Sequence, residues 1–334
     1  MKYGRILLVI FVLTFGLFSI LSPDRFLGIN NLQTMLVQLP EFAILALGMM
    51  IVILTGGINL SIAATSALCG IVAALFLTAF PADGGGVFFV IVGTIVVGLL
   101  FAVLTGLFNG MLVAFVGVTP ILVTIGARAV FKGLGLVLTK GGSVSSFPEA
   151  FYVIGSGTPL GIPIPLYIFV AVAILTYILL HRTPWGARVF MIGANPEAAN
   201  FSGVPVRRIL LQVYVYSSLL AGIAALIMIS RYNSAKVTLG TSYLLQTVAA
   251  SVLGGTSIYG GKGNVVGVIL AAAILQVISS GLNILGVNRF LIEVSMGAIL
   301  IVALTIDFLS TTGQWSRLAK LFSRRPASAS APGA

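Results

Sequence analysis

The sequence predicts an all-α polytopic membrane protein with about ten transmembrane helices. Its 334 residues are 59% hydrophobic and 7% charged, whereas water-soluble domains average about 25% charged residues. A soluble surface so poor in charge would expose large apolar patches and aggregate. Apolar runs long enough to cross a bilayer recur along the chain. These observations exclude a soluble enzyme, a secreted disulfide scaffold and a nucleic-acid-binding module.

Ten apolar runs define the predicted spans. The first, residues 6–21, follows Lys2 and Arg5 like a signal peptide, but Ser22–Arg25 is no small-residue cleavage site, so we interpret it as a retained helix. The other nine are 36–54, 60–80, 87–116, 119–139, 163–181, 209–230, 243–257, 264–285 and 289–309. The run 243–257 is short, which is typical of a helix surrounded by protein instead of lipid.

The 18 lysines and arginines orient these spans. With a cytoplasmic N-terminus, eleven lie inside: Lys2, Arg5, Arg182, Arg188, Arg207, Arg208, Lys262, Arg317, Lys320, Arg324 and Arg325. Five lie outside, namely Arg25, Lys140, Arg231, Lys236 and Arg289, and two, Arg128 and Lys132, lie within a span. This bias predicts cytoplasmic termini. It also explains the net charge of +11 without a nucleic-acid partner.

The chain is predicted to contain one folded domain. Residues 1–309 form the transmembrane domain, which includes a cytoplasmic loop at 182–208. Residues 310–334 form a cytoplasmic tail, whose Ala/Ser/Pro-rich end is expected to be disordered and whose arginines are expected to lie near anionic lipid. The single cysteine, Cys69, lies in an apolar run and is interpreted as a small core residue.

Two glycine-rich segments interrupt the apolar runs. Thr55–Ser61 is either a tight turn at the cytoplasmic surface or a broken helix whose peptide groups face a cavity. Gly254–Gly263 lacks the Gly-Lys-Ser/Thr pattern of a phosphate-binding loop and the spacing of a dinucleotide fingerprint. No nucleotide site is therefore predicted.

The cytoplasmic loop is predicted to contain a short helix. Asn195 suits the N-cap, Pro196 the first helical position and Glu197 the positive end of the helix dipole, while Gly203 can end the helix. So short a helix does not persist alone. We expect it either to dock into a partner or to serve as an ordinary amphipathic connector.

Ionisable and amide side chains within spans are costly and are therefore candidates for function. They are Glu41, Arg128, Lys132, Gln246, Asn283 and Glu293. For each, pairing between helices and contact with a substrate remain alternatives. The one histidine, His181, lies at a span end, which argues against a proton relay. We assign no catalytic residue and no metal site to the chain.

Glu197-Ala198-Ala199 followed by Gly203 resembles the Glu-Ala-Ala-x-x-x-Gly loop of ATP-binding-cassette (ABC) importer permeases. The wider sequence, from about Phe26 to Asp307, resembles the monosaccharide permeases of the ribose, xylose and galactose type. The matching segments are Gly48–Ser61, Thr124–Gly133, Gly193–Gly203 and Leu253–Gly263.

This resemblance implies a type II-like permease fold in the bacterial inner membrane. The permease would dimerise with itself or with a paralogue, receive solute from a periplasmic sugar-binding protein and couple to a tandem-cassette ATPase. That ATPase binds ATP and Mg, so this chain would need no cofactor and would not be an enzyme. The implied coupling residues are Asn195, Pro196, Glu197, Ala198, Ala199 and Gly203.

The sequence also departs from the family pattern, which commonly has Asp at Asn59, Arg at Lys132, Glu at Leu244 and Asp at Gln246. We predict a solute path that includes Glu41, Asn59, Lys132, Gln246 and Asn283. The predicted function is import of a monosaccharide or related polyhydroxylated solute by alternating access. The alternatives are a permease for an autoinducer-2-like furanose or a nucleoside, an ion-coupled secondary carrier, and a scaffold without transport.

Overall fold

The structure of the protein, a computed structural model, describes residues 2–80 and 86–312. Most of this part of the chain is helical. The helices are α1 (Lys2–Leu21), α2 (Pro23–Phe26), α3 (Ile29–Leu54), α4 (Ile62–Ala79), α5 (Gly86–Met111), α6 (Pro120–Thr139), α7 (Glu149–Ser156), α8 (Ile164–Arg182), α9 (Pro184–Ala194), α10 (Pro196–Phe201), α11 (Val206–Tyr232), α12 (Tyr243–Leu253), α13 (Val265–Ile284) and α14 (Arg289–Thr312). Two short strands, β1 (Val144–Ser145) and β2 (Ser234–Ala235), pair antiparallel.

The prediction of an all-α protein is confirmed. Within the described ranges, eight helices are long and apolar enough to cross a membrane, and α12 is a shorter apolar helix. The last predicted span, 289–309, corresponds to α14, which continues to Thr312. The rest of the predicted tail, residues 313–334, lies outside the described residues.

The predicted span over 243–257 was too long. Helix α12 ends at Leu253, and Gly255 follows in a left-handed conformation with φ +88°. Thr256 N–H donates to Ser251 O at 3.0 Å and Gly255 N–H donates to Val252 O at 2.9 Å. These two bonds satisfy the last carbonyls of the helix and turn the chain sharply, which apolar composition alone could not reveal.

Helices α3 and α11 form the centre of the bundle. The inner half of α3 is buried without interruption from Pro40 to Leu54, and α11 packs against α3, α4 and α5. Small residues four positions apart on α5, Gly98, Ala102, Gly106 and Gly110, face α11. A Cβ atom at Gly106 would lie 2.6 Å from the Cα of Val215. This close backbone approach is the usual way in which membrane helices gain packing energy.

The bundle has an inner, cytoplasmic end and an outer end. These names follow the orientation that the distribution of lysines and arginines predicts. The inner end carries α9, α10, the turn at Thr55–Ser61 and the turn after α12. The outer end carries the β1–β2 pair and α7. Ser230 at the end of α11 fastens α7, because its Oγ accepts from Gly155 N–H at 2.8 Å and donates to Phe151 O at 2.6 Å.

Of the two alternatives for Thr55–Ser61, the structure has the turn. Gly56 is left-handed with φ +79°, and Gly57 N–H donates to Val52 O at 3.2 Å, which ends α3. Asn59 is fully buried beyond this turn. The segment therefore closes the bundle at the inner end.

Candidate functional site

At the inner end, α10 has the capping that the sequence predicts. Asn195 Oδ1 accepts from Ala198 N–H at 3.0 Å, and Gly203 follows the helix with φ +78°. Ala199 is buried and holds α10 against the bundle, whereas Glu197 is exposed. Phe201 has 91% of its surface exposed. The ring of Phe201 therefore projects from α10 instead of packing against the bundle.

Phe201 and helix α9 were not predicted. Thr183 caps α9 by accepting from Gly186 N–H, and Pro184 occupies its first turn. The sequence Thr183-Pro184 carries the same cap-then-proline signal that identified α10, so the rule could have found α9. The exposure of Phe201 could not be read from sequence, because it depends on how α10 lies on the bundle.

A groove of about 560 Å³ runs beside α10. It is lined by Phe115, Pro196, Glu197, Asn200, Pro205, Val206, Arg207 and Arg208. Glu197, Arg207 and Arg208 give this mainly apolar groove a net positive charge. The inner end thus presents a projecting helix and a groove side by side.

Helix α9 connects this surface to the centre of the bundle. A Cβ atom at Gly193 would overlap with Leu54 O and Gly261 N. Gly261 N–H in turn donates to Leu54 O at 2.9 Å. The end of α3, the end of α9 and the turn after α12 therefore meet at backbone contact.

At the outer end, a cavity of about 760 Å³ opens among α3, α11, α12, α13 and α14. Uncharged polar groups dominate its wall: Gln38, Ser234, Thr238, Thr241, Ser242, Tyr243, Gln246, Gln276, Ser279 and Asn283. Lys236, Arg289 and Glu293 carry its formal charges. The volume falls within the range of roughly 300–1,000 Å³ that small-molecule sites occupy.

Two of the five residues predicted for the solute path, Gln246 and Asn283, line this cavity. Gln38 and Gln276 also line it and were missed, although both are amides within apolar runs and satisfy the rule that selected Gln246. The cavity brings together residues from five separate helices. Their proximity is a result of tertiary packing.

Glu41 lies behind the cavity wall, fully buried. Its carboxylate accepts from Arg231 Nε at 2.6 Å and from Arg231 Nη2 at 2.8 Å. Tyr243, which does line the cavity, donates to the same carboxylate at 3.4 Å. Glu41 thus has the helix-pairing role that the sequence left open, and it connects α3, α11 and the start of α12.

Asn59 lies far from the outer cavity, within a buried chain of hydrogen bonds. Its Nδ2 donates to Ser217 Oγ at 3.1 Å, and its Oδ1 accepts from Ser61 Oγ at 2.7 Å. Ser61 Oγ accepts from Asn109 Nδ2 at 2.9 Å. These bonds connect the inner turn to α5 and α11, and the part of Asn59 in a solute path stays a prediction.

Lys132 lies apart from both sites, on α6. It shares an exposed face with Arg128, as the four-residue spacing predicts. Helix α6 packs mainly against α4, and Cβ atoms at Gly126 and Gly133 would meet nothing within 4 Å. Among the described residues, no group of three or more His, Cys, Asp or Glu side chains could hold a metal ion.

Comparison with known proteins identifies the family. The model of the family described as "Branched-chain amino acid transport system / permease component" matches residues 31–304. The chain belongs to this permease family. It is thus the membrane subunit of an ABC importer in the bacterial inner membrane, and it is a transport protein, not an enzyme.

Curated relatives match this permease over nearly its full length. A ribose import permease protein of Bacillus subtilis is 37% identical, with 91% of this chain and 90% of the relative covered. An autoinducer 2 import system permease protein of Yersinia enterocolitica is 36% identical, with 90% of each covered. A D-allose transport system permease protein of Escherichia coli is 32% identical, with 92% and 91% covered.

A solved structure shares the fold. It is described as an ABC transporter in an inward-facing conformation, with a TM-score of 0.52 and 18% identity, and the match covers 92% of this chain and 99% of that one. At this identity the likeness concerns the fold alone. It agrees with the predicted permease fold.

Proposed function

We propose that this permease subunit imports an uncharged monosaccharide or a closely related polyhydroxylated solute by alternating access. The observation that carries this proposal is the outer cavity, whose wall consists mainly of amides and hydroxyls. Such groups suit a neutral polyol, which offers a hydrogen-bond donor and an acceptor at each hydroxyl. The named substrates of the relatives, ribose, allose and autoinducer 2, agree with that chemistry.

The experiment reconstitutes the permease with its ATPase and solute-binding protein in proteoliposomes. We expect ATP-dependent uptake of at least one of D-ribose, D-allose and autoinducer 2, and inhibition of this uptake by vanadate. Uptake of none of the three would refute the proposed substrate class. Uptake driven by an ion gradient in the permease alone would refute the proposed mechanism.

The coupling partner is a tandem-cassette ATPase that binds ATP and Mg and receives α10 in a groove of its own. Phe201 is the proposed anchor, because an exposed phenylalanine gains roughly 1.5–3 kcal/mol when it is fully buried. Truncation should therefore weaken binding of the ATPase about 10- to 100-fold. A periplasmic sugar-binding protein would deliver the solute at the outer end.

The test compares Phe201→Ala with Phe89→Ala. Phe89 is 75% exposed and lies at the outer end of α5, so its truncation removes the same side chain from the opposite surface. We expect loss of ATPase copurification and of uptake for Phe201→Ala alone. Wild-type binding of the ATPase by Phe201→Ala would show that α10 does not dock through this ring.

A second permease copy, or a paralogue, would cover the exposed face of α6. Arg128 and Lys132 lie about 12 and 18 Å along α6 from its inner end, which is membrane depth. A cation facing lipid at that depth costs about 2.5–3.5 kcal/mol even on translocon-insertion scales. This face therefore requires protein or water against it, and Lys132 would then border a path between the two copies.

Cysteine crosslinking tests this interface. The one native cysteine, Cys69, is buried and should not react with the crosslinker. Ala129 lies on the exposed side of α6 between the two cations, whereas Leu13 of α1 is 66% exposed and faces away from the bundle. We expect a thiol crosslinker to give covalent dimers with Ala129→Cys and none with Leu13→Cys. The reverse pattern would place the interface elsewhere.

A further inference from the structure

The outer cavity contains a pair of amides that are bonded to each other. Gln276 Nε2 on α13 donates to Gln38 Oε1 on α3 at 2.9 Å. Gln276 is 7% exposed, and Gln38 is half-buried. Both side chains line the cavity, so the pair forms part of its wall instead of being hidden behind it.

The hydrogen bond between the two amides leaves one carbonyl and one NH₂ group of the pair free to bind other partners. An amide has one carbonyl with two lone pairs and one NH₂ with two donors. After one N–H···O bond, the carbonyl of Gln276 and the NH₂ of Gln38 still lack partners within the pair. These two groups belong to connected side chains, so an acceptor and a donor are held next to one another at the cavity wall.

Helix α13 extends this polar surface along the cavity. Ser279 and Asn283 follow Gln276 at three and seven positions, which places all three on one face of the helix. Gln246 of α12 also lines the cavity. A solute in the cavity would therefore meet neutral donors and acceptors on two sides.

We propose that the Gln38–Gln276 pair binds two adjacent hydroxyls of the sugar in this cavity. The inference rests on the proposed function and deepens it, because it names the residues that select the solute. One hydroxyl donates to the Gln276 carbonyl, and its neighbour accepts from the Gln38 NH₂. A charged solute gains nothing from this pair, since neither amide carries a countercharge.

This geometry predicts selection against sugars that lack one of the two hydroxyls. A site that hydrogen-bonds a hydroxyl rejects the deoxy analogue, because its own polar group is then left without a partner. We expect the wild-type complex to transport the parent sugar at least about 10-fold better than one monodeoxy isomer, after correction for the affinity of the binding protein.

The variants Gln38→Leu and Gln276→Leu keep side-chain volume and remove the amide. Each should reduce that preference about 10-fold, and the double variant should match the singles because the amides act as a unit. Gln33→Leu is the matched control, since Gln33 is exposed on the same helix α3 and is not part of the cavity wall. It should keep the wild-type preference.

A second readout does not depend on ATP. Ser279→Cys introduces a thiol one turn from Gln276, whereas Thr158→Cys introduces one on the outer surface away from the cavity. Whichever of D-ribose, D-allose and autoinducer 2 the complex transports should slow the reaction of an impermeant maleimide with Ser279→Cys and leave the reaction with Thr158→Cys unchanged.

The two proposals fail in different ways. If the wild-type complex transports none of D-ribose, D-allose and autoinducer 2, the proposed substrate class fails and this site fails with it. If the wild type transports a sugar but Gln38→Leu and Gln276→Leu keep its preference, the amide-pair site alone is refuted. The same conclusion follows if sugar does not protect Ser279→Cys.

Discussion

The ion pair between Glu41 and Arg231 gives the most quantitative prediction for the bundle. Glu41 has no exposed surface, whereas the Arg231 side chain keeps 16%. Removing one partner of a buried pair costs about 3–5 kcal/mol, because the remaining charge has no countercharge. The two single variants should differ, since Arg231 alone can be partly hydrated and Glu41 alone cannot.

We therefore expect Arg231→Met to cost about 5 kcal/mol and Glu41→Leu about 3 kcal/mol of the free energy of unfolding. The double variant should be more stable than either single one, since it leaves no isolated charge. Unfolding in mixed detergent micelles, titrated with dodecyl sulfate and followed by far-UV circular dichroism, measures all three.

Arg25→Met is the control, because Arg25 is exposed at the same outer end. It should leave the unfolding midpoint unchanged. Single-variant costs below about 1 kcal/mol, the size of an exposed ion pair, would refute the reasoning. Additive costs in the double variant would also refute it, because partners that compensate each other cannot contribute independently.

Two further predictions concern close backbone contacts. Gly106→Ala should lower the free energy of unfolding by about 1–3 kcal/mol, because the new methyl group would lie 2.6 Å from the Cα of Val215; Gly16→Ala, with nothing within 4 Å, should not, and equal melting temperatures for both would contradict this. Gly193→Ala should lower thermal stability and ATP-coupled uptake together, because its methyl group would overlap with Leu54 O. Wild-type uptake by this variant would show that the close contact between α9 and α3 is not needed for coupling.

Much of the fold follows from local signals. All ten predicted spans correspond to helices, because a run of about 20 apolar residues has no other stable arrangement in a bilayer than a helix with its backbone bonded internally. The capping of α10 was equally predictable from the sequence, since Asn195, Pro196 and Gly203 stabilise the ends of the helix to which they belong. The exception, α12, ended early at a turn whose two hydrogen bonds depend on the conformation of Gly255.

The candidate sites were less predictable. Of five polar residues chosen for a solute path, Gln246 and Asn283 reach the outer cavity, while Glu41 pairs with Arg231 and Asn59 bonds Ser217. The cost of placing a polar group in a membrane identifies such residues as important. This cost is the same for a residue that contacts solute and for one that joins two helices. It therefore cannot distinguish a solute-binding residue from a structural one.

Local composition along the sequence was sufficient to predict that the protein lies in a membrane, that it is helical and where its spans lie. Each of these properties depends on the balance of apolar and charged residues over about 20 positions. Tertiary structure decided which polar groups meet. Gln38 and Gln276 are 238 positions apart and still share a hydrogen bond. That contact depends on how α3 and α13 pack, and no local pattern in either helix contains that information.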